Sequence, residues 1–248
     1  MKKNLYLRSY TYSGLVRATG RITQQLNAII IFIMCYVHLS NGSLEPSLLH
    51  LFSISITLSC YLVLTLMKVG DALSEINAVV VFCVASFALS PILMTLTDTI
   101  STDTIYAMTT VTLLSHLLLH DYTEYATQIS GVVSFNAGVF ATVCLVSRLS
   151  TVQRAFALIV LSVQTFALWP YTRRLLRSCL PWTVDAVISL GMALLAIRML
   201  SQSTVAISIL AALLNAFITF ICPYLLLTLQ QFKNNIYGPW DEAVVVTR

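Results

Sequence analysis

Charge is scarce in this chain: only 10% of its 248 residues are Asp, Glu, Lys or Arg, where a soluble domain carries about 25%. So few charges cannot cover a globule of this size in water. They suffice if most of the surface faces lipid. Glycine is limited to eight residues and histidine to four. The sequence has no G-x-x-x-x-G-K-[ST], no G-x-G-x-x-G, no G-x-S-x-G and no H-E-x-x-H. With no soluble α/β region either, it cannot build a nucleotide-binding domain of its own. None of the six cysteines forms a C-x-x-C pair, and five fall in apolar segments. Cys35, Cys60, Cys83, Cys144, Cys179 and Cys222 therefore read as small apolar residues rather than disulfide or zinc partners. The acids and bases fall in loops or near segment ends, which argues against an ion-coupled transporter, since such proteins need buried ionisable groups.

What the chain does have is apolar length. Apolar residues make up 58% and the mean hydropathy is +0.85. Eight stretches approach the roughly 20 apolar residues of a spanning helix: 22–39, 47–67, 76–96, 104–120, 126–147, 155–171, 184–200 and 204–229. The expected fold is all-α, a polytopic transmembrane helix bundle of about eight spans with no soluble domain. It divides into a cytosolic N-terminal segment (1–21), the bundle (22–229) and a cytosolic C-terminal tail (230–248). The first apolar stretch carries Gln24, Gln25 and Asn27 and has no small-x-small cleavage site after it. It is expected to remain as a helix rather than leave as a signal peptide.

Lys and Arg set the orientation. With eight spans, Lys2, Lys3, Arg8, Arg17, Arg21, Lys68, Arg173, Arg174, Arg177, Lys233 and Arg248 share one side, and Arg148, Arg154 and Arg198 the other. Eleven against three favours both termini in the cytosol. The net charge of +4 arises from these short clusters, so it is a topology signal, not an argument for nucleic acid. The sequon Asn41-Gly42-Ser43 lies close to the bilayer and is expected to stay unglycosylated.

Several positions punctuate the segments. Pro91, Pro170 and Pro223 each remove a backbone donor and should kink their helices. Ser86, Ser90, Ser130, Gly131, Ser134, Asn136, Ala137 and Gly138 would allow close helix approach. His116 and His120 lie on one helix face, but four histidines cannot supply a multi-box metal site. No metal or cofactor is expected. Ser101 or Thr102 should cap the fourth helix, with Asp103 favourable in its first turn; a carboxylate pair of Asp98 and Asp103 is the weaker reading. Arg173, Arg174 and Arg177, with Trp182, form a basic aromatic loop. Anionic head groups and ordinary positive-inside anchoring explain that loop equally well.

The polar islands form a series: S-T-D-T-I-Y-A-M (101–108), His116 with Asp121-Tyr122, S-F-N-A-G-V-F-A-T-V-C-L-V-S-R-L (134–149), F-A-L-W-P (166–170), C-P-Y-L-L (222–226) and F-K-N-N-I-Y-G-P-W-D-E-A (232–243). Together they resemble the PIG-C family, one of the components of the phosphatidylinositol N-acetylglucosaminyltransferase complex. The resemblance runs from about residue 1 to 243 and is strongest from 90 onward. The family pattern has His116, Asp121 and Tyr122 but no histidine at 120, and usually a longer cytosolic N-terminal region. The resemblance implies a non-catalytic, multi-pass subunit of the endoplasmic reticulum membrane. It would scaffold the catalytic glycosyltransferase subunit (PIG-A), and help present phosphatidylinositol, in the first step of glycosylphosphatidylinositol (GPI) anchor synthesis, the transfer of N-acetylglucosamine from UDP-GlcNAc. Other implied partners are the H, P, Q and Y subunits, a dolichol-phosphate-mannose synthase regulatory subunit, and membrane lipid. No catalytic residue is expected. Contacts with partners or lipid fall on Asp121, Tyr122, Arg173, Arg174, Trp240, Asp241 and Glu242. Bundle packing falls on His116, Asn136, Arg148, Trp169, Pro170 and Pro223. A lipid or small-solute transporter is the alternative, and a self-sufficient membrane glycosyltransferase a third reading.

Overall fold

The computed structural model describes residues 2–3, 10–66, 72–97, 99–122, 128–230, 232 and 236–237. Asp98, Trp240, Asp241 and Glu242 lie outside the described residues. The helices are α1 (Tyr12–Ser40), α2 (Pro46–Leu66), α3 (Ala72–Thr95), α4 (Thr102–Leu119), α5 (Gln128–Val146), α6 (Val152–Val163), α7 (Trp169–Cys179), α8 (Trp182–Ser201), α9 (Val205–Ala216) and α10 (Cys222–Gln230). Two π turns, Gln164–Leu168 and Phe217–Ile221, join α6 to α7 and α9 to α10 without a break. Among the described residues the helices thus form eight rods, one for each apolar stretch. Of these, Tyr12–Ser40, Val152–Arg177, Trp182–Ser201 and Val205–Gln230 are long and apolar enough to cross a membrane. The apolar portions Pro46–Ser59, Val79–Thr95 and Gly131–Val146 are shorter. The only strand pairing among the described residues is antiparallel, Lys2 opposite Tyr237 and Lys3 opposite Ile236. It lays the two ends of the chain side by side.

Two boundaries differ from the hydropathy reading. The first rod begins at Tyr12, where Thr11 Oγ1 accepts from the Gly14 amide at 3.3 Å. Arg17 and Arg21 are therefore helical, not part of an irregular leader. The sixth rod runs on to Cys179, so Arg173, Arg174 and Arg177 lie on a helix rather than in a loop. Hydropathy reports the solvent around a segment. A helix of good formers such as Arg and Leu continues past the lipid boundary.

The prolines act through the π turns. Pro170 and Pro223 each stand two residues beyond the last π residue. Proline cannot donate its backbone amide, and its ring crowds the carbonyl four residues back. Widening the turn just ahead of it removes that crowding while the rod continues. Pro91 lies inside α3 with no such turn.

The core forms around α1, which packs against α4, α6, α8 and α10. Its face is polar as well as apolar: Gln24, Gln25, Asn27 and Phe32 are all fully buried. Asn27 Nδ2 donates to Asn215 Oδ1 at 2.8 Å, and Asn215 Nδ2 donates back at 3.2 Å, tying α1 to α9. Gln164 Nε2 donates to the Ser53 carbonyl at 2.7 Å and to Thr57 Oγ1 at 2.8 Å, tying α2 to the first π turn. Between membrane helices such bonds contribute on average about 0.6 kcal/mol each, and fix register as well. Apolar packing joins them where the Phe166 ring lies edge-on to Phe32 at 5.0 Å and to His116 at 4.7 Å. The outer faces are frankly apolar, with Leu51 65%, Val81 67%, Leu118 80% and Val187 69% exposed. Surfaces of that kind belong in lipid.

Candidate functional site

One end of the bundle gathers arginines from two rods. Arg17 and Arg21 come from the first turns of α1, and Arg173, Arg174 and Arg177 from α7. Against them stands Asp185, in the first turn of α8, where the helix dipole favours a carboxylate. Arg177 grips it in a two-point pair, Nη2 to Oδ2 at 2.7 Å and Nε to Oδ1 at 3.0 Å. Gln24 Nε2 reaches the same Oδ1 at 2.9 Å and Ser189 Oγ at 2.6 Å, so α1, α7 and α8 meet at one carboxylate. Arg17 lies 4.7 Å above the Trp182 ring, a cation–π contact.

The exit of α4 is held by the same arginines. Arg21 Nη1 donates to the Tyr122 carbonyl at 2.7 Å, and Arg174 Nη2 to the Asp121 carbonyl at 3.3 Å. Tyr122 Oη donates to the Leu117 carbonyl at 2.6 Å, satisfying an acceptor in the last turn of α4. Burial pushes the Tyr122 phenol up to about 12, with the Arg173 charge opposing. It therefore remains a donor at any physiological pH.

Further in, a chain of polar groups crosses the bundle, and its donors can be assigned. A guanidinium only donates, so His120 Nε2 accepts from Arg173 Nη2 at 3.2 Å, and the His120 proton sits on Nδ1, pointing along a long 3.5 Å contact to Ser134 Oγ. Ser134 Oγ donates to the His116 carbonyl at 3.0 Å. His116 Nδ1 donates to the Ser134 carbonyl at 2.7 Å, and Gln25 Nε2 donates to His116 Nε2 at 2.8 Å. Both imidazoles are thus turned into structural links between α1, α4, α5 and α7.

The residues expected at the site separate into groups. Asp121 and Arg173, expected as contact residues of the cytosolic face, are 6% and 4% exposed; they act inside the chain. Tyr122 and Arg174 are half-buried at its edge. Trp240, Asp241 and Glu242 fall outside the described residues. Of the residues expected to pack, His116 and Pro170 are buried, Pro223 is fully buried, and Trp169 is half-buried beside the basic end. Arg148 binds the turn after α3 at the other end of the bundle, donating through Nη2 to the Thr97 and Ile100 carbonyls, both at 2.7 Å. Asn136 differs. Its side chain is exposed near the middle of α5, because it shares the outward face with Val132, Val133 and Val139 rather than the Ser134–Gly138 stripe. Gln24, Gln25, Ser134, Asp185 and Ser189 were not singled out as site residues. The amides of 24–27 inside an apolar run were the available signal for the first two. Asp185, eight residues after Arg177, was the signal for the ion pair.

A bundle with lipid-exposed apolar flanks and one arginine-rich, internally bonded end is a multi-helix membrane protein. The family described as phosphatidylinositol N-acetylglucosaminyltransferase, GPI2, matches residues 1–241, and the chain belongs to that family. It is 35% identical over 253 residues to the bovine phosphatidylinositol N-acetylglucosaminyltransferase C-subunit, covering 99% of this chain and 85% of the bovine protein. The human C-subunit gives the same identity and coverage. The fission yeast (Schizosaccharomyces pombe) GPI2 subunit is 27% identical over 257 residues, covering 98% of this chain and 79% of the yeast protein. No solved structure matches significantly. Nothing in these relatives' names supports a transporter.

Proposed function

We propose that this chain is a non-catalytic membrane subunit of the complex that transfers N-acetylglucosamine from UDP-GlcNAc to phosphatidylinositol. Its bundle would cross the endoplasmic reticulum membrane about eight times, with both termini in the cytosol. It would scaffold the catalytic glycosyltransferase subunit (PIG-A), alongside the H, P, Q and Y subunits and a dolichol-phosphate-mannose synthase regulatory subunit, and help present phosphatidylinositol. Membership of the GPI2 family over residues 1–241 carries the reading. The site chemistry supports the non-catalytic part. Asp185 is held by Arg177 and Gln24, and both nitrogens of His116 and His120 are engaged within the chain. Groups committed in this way position helices; they are not poised to take a proton from a substrate hydroxyl. The pairing of Lys2–Lys3 with Ile236–Tyr237 supports placing both ends on one side, as the Lys and Arg distribution does.

The test is purification of a tagged full chain from membranes. A glycosyltransferase subunit should co-purify in stoichiometric amount and carry the UDP-GlcNAc activity, while the chain stripped of partners should show none. Conversion by the single chain would end the non-catalytic reading, and recovery of the chain alone would end the subunit reading.

A further inference from the structure

Two cavities meet at Trp169. The first, about 250 Å³, lies at the basic end and is lined by Arg17, Arg21, Arg173 and Arg177 with Asp185. The second, about 430 Å³, is an apolar slot lined by Ala28, Ile31, Phe52, Leu161, Met192 and Leu195. Trp169, Leu176 and Ile188 line both, so the polar chamber and the apolar slot share a wall.

The lining changes character in the same direction on three rods. Along α1 it passes from Arg17 and Arg21 to Ala28 and Ile31; along the α6–α7 rod, from Arg177 and Arg173 to Leu161; along α8, from Asp185 to Met192 and Leu195. From Arg21 to Ile31 is about 15 Å at 1.5 Å per residue. At the junction, the indole Nε1 of Trp169 is buried and has no acceptor among the described residues. A buried N–H without a partner is costly, so this one asks for an oxygen brought by something else.

We propose that the two cavities are one binding site for an anionic glycerophospholipid. The head-group phosphate lies among the four guanidinium groups, which match phosphate geometry. The glycerol-ester region lies at Trp169, whose N–H donates to an ester or phosphate oxygen, and an acyl chain fills the slot between α1, α2 and α8. This deepens the lipid-presenting part of the proposed function: it rests on the basic end facing the cytosolic head-group layer, and it names the lipid class and the residues.

The experiment uses the purified complex in vesicles of phosphatidylcholine containing a trace of photoreactive-acyl phosphatidylinositol or, separately, photoreactive-acyl phosphatidylcholine. The anionic probe should label peptides of α1 and α8 at least fivefold more than the neutral one. Soluble glycerophosphoinositol should not compete, because the slot supplies part of the binding. Arg17→Gln, at an exposed position, and Trp169→Phe, which keeps the ring and loses only the N–H, should each lower that labelling about five- to tenfold, the scale of one charge-assisted hydrogen bond. Met192→Trp should block the slot with a similar loss. Equal labelling by both probes, labelling mapped to other helices, full competition by the soluble head group, or unchanged labelling in all three variants would overturn the site. Recovery of the partner subunits is scored on the same samples. An intact complex with no selective labelling therefore sinks the lipid site alone, and a complex that never assembles sinks the subunit reading instead.

Discussion

Gly138 meets the Phe166 ring so closely that one methyl group should be felt. A Cβ at that position would lie 2.8, 3.0 and 3.2 Å from three ring carbons. The ring has little freedom to yield: Phe166 is 4% exposed and wedged edge-on against Phe32 and His116. Overpacking of this kind costs about 1–3 kcal/mol, while Ala returns up to about 1 kcal/mol of helix propensity over Gly. The expected net loss for Gly138→Ala is about 1–2 kcal/mol. For a chain of this size, that is a fall in melting temperature of about 2–8 °C. Phe166→Leu alone should also destabilise, by leaving a void. Combined, the two changes should cost less than their sum by about 1 kcal/mol, because the smaller side chain makes room for the methyl. Thermal unfolding of the four proteins of the cycle in one detergent measures this. A neutral or stabilising Gly138→Ala, or strict additivity in the double variant, would refute the reasoning.

Four further outcomes are expected. His116→Leu strands Gln25 Nε2 and the Ser134 carbonyl, at about 1–3 kcal/mol each, so the variant should unfold well below the parent in the same melt. The raised Tyr122 phenol contributes stability that is complete below its usual value near 10 and is lost as pH rises toward about 12; Tyr122→Phe should flatten that alkaline limb in melts run across the range. Asn136→Leu replaces an exposed amide on α5 and should leave the isolated chain no less stable, while lowering recovery of a partner if that face is a subunit contact. Trp240→Ala with Asp241→Ala should leave the chain inserted yet weaken co-purification of the catalytic subunit, and unchanged recovery and activity would return the tail to a plain solvated end.

The helices were legible because lipid imposes one simple requirement, and apolar length reports it directly. Each of the eight apolar stretches became a rod, and Ser101 caps α4, its hydroxyl oxygen accepting from the Thr104 amide at 3.3 Å. The end of the sixth rod was not legible, because Arg173 to Arg177 mark where lipid stops, not where the helix does. The π turns were not legible either. Proline predicts strain in a helix but not whether it is relieved by a bend or by a wider turn. The site was visible only by class. A run of arginines announces a boundary, yet Gln25 and His116 are 91 residues apart, and only packing could reveal that they are partners. Asp185 looked like an ordinary first-turn acid because its partners, Arg177 and Gln24, come from two other rods.

The π turn at Gln164–Leu168 also sets the aim of everything after it. One additional residue wound into a rod advances the following side chains by about 100° around its axis, at 3.6 residues per turn. Arg173 and Arg177 face α1 and α8 with that advance in place. Were one residue of 164–168 deleted and the turn drawn back to a regular helix, the same arginines would swing about a quarter-turn away from Asp185 and His120. Their number, spacing and charge would be unchanged. The turn thus works as a phase setting, and a one-residue deletion there would leave composition and hydropathy almost untouched while dismantling the basic end.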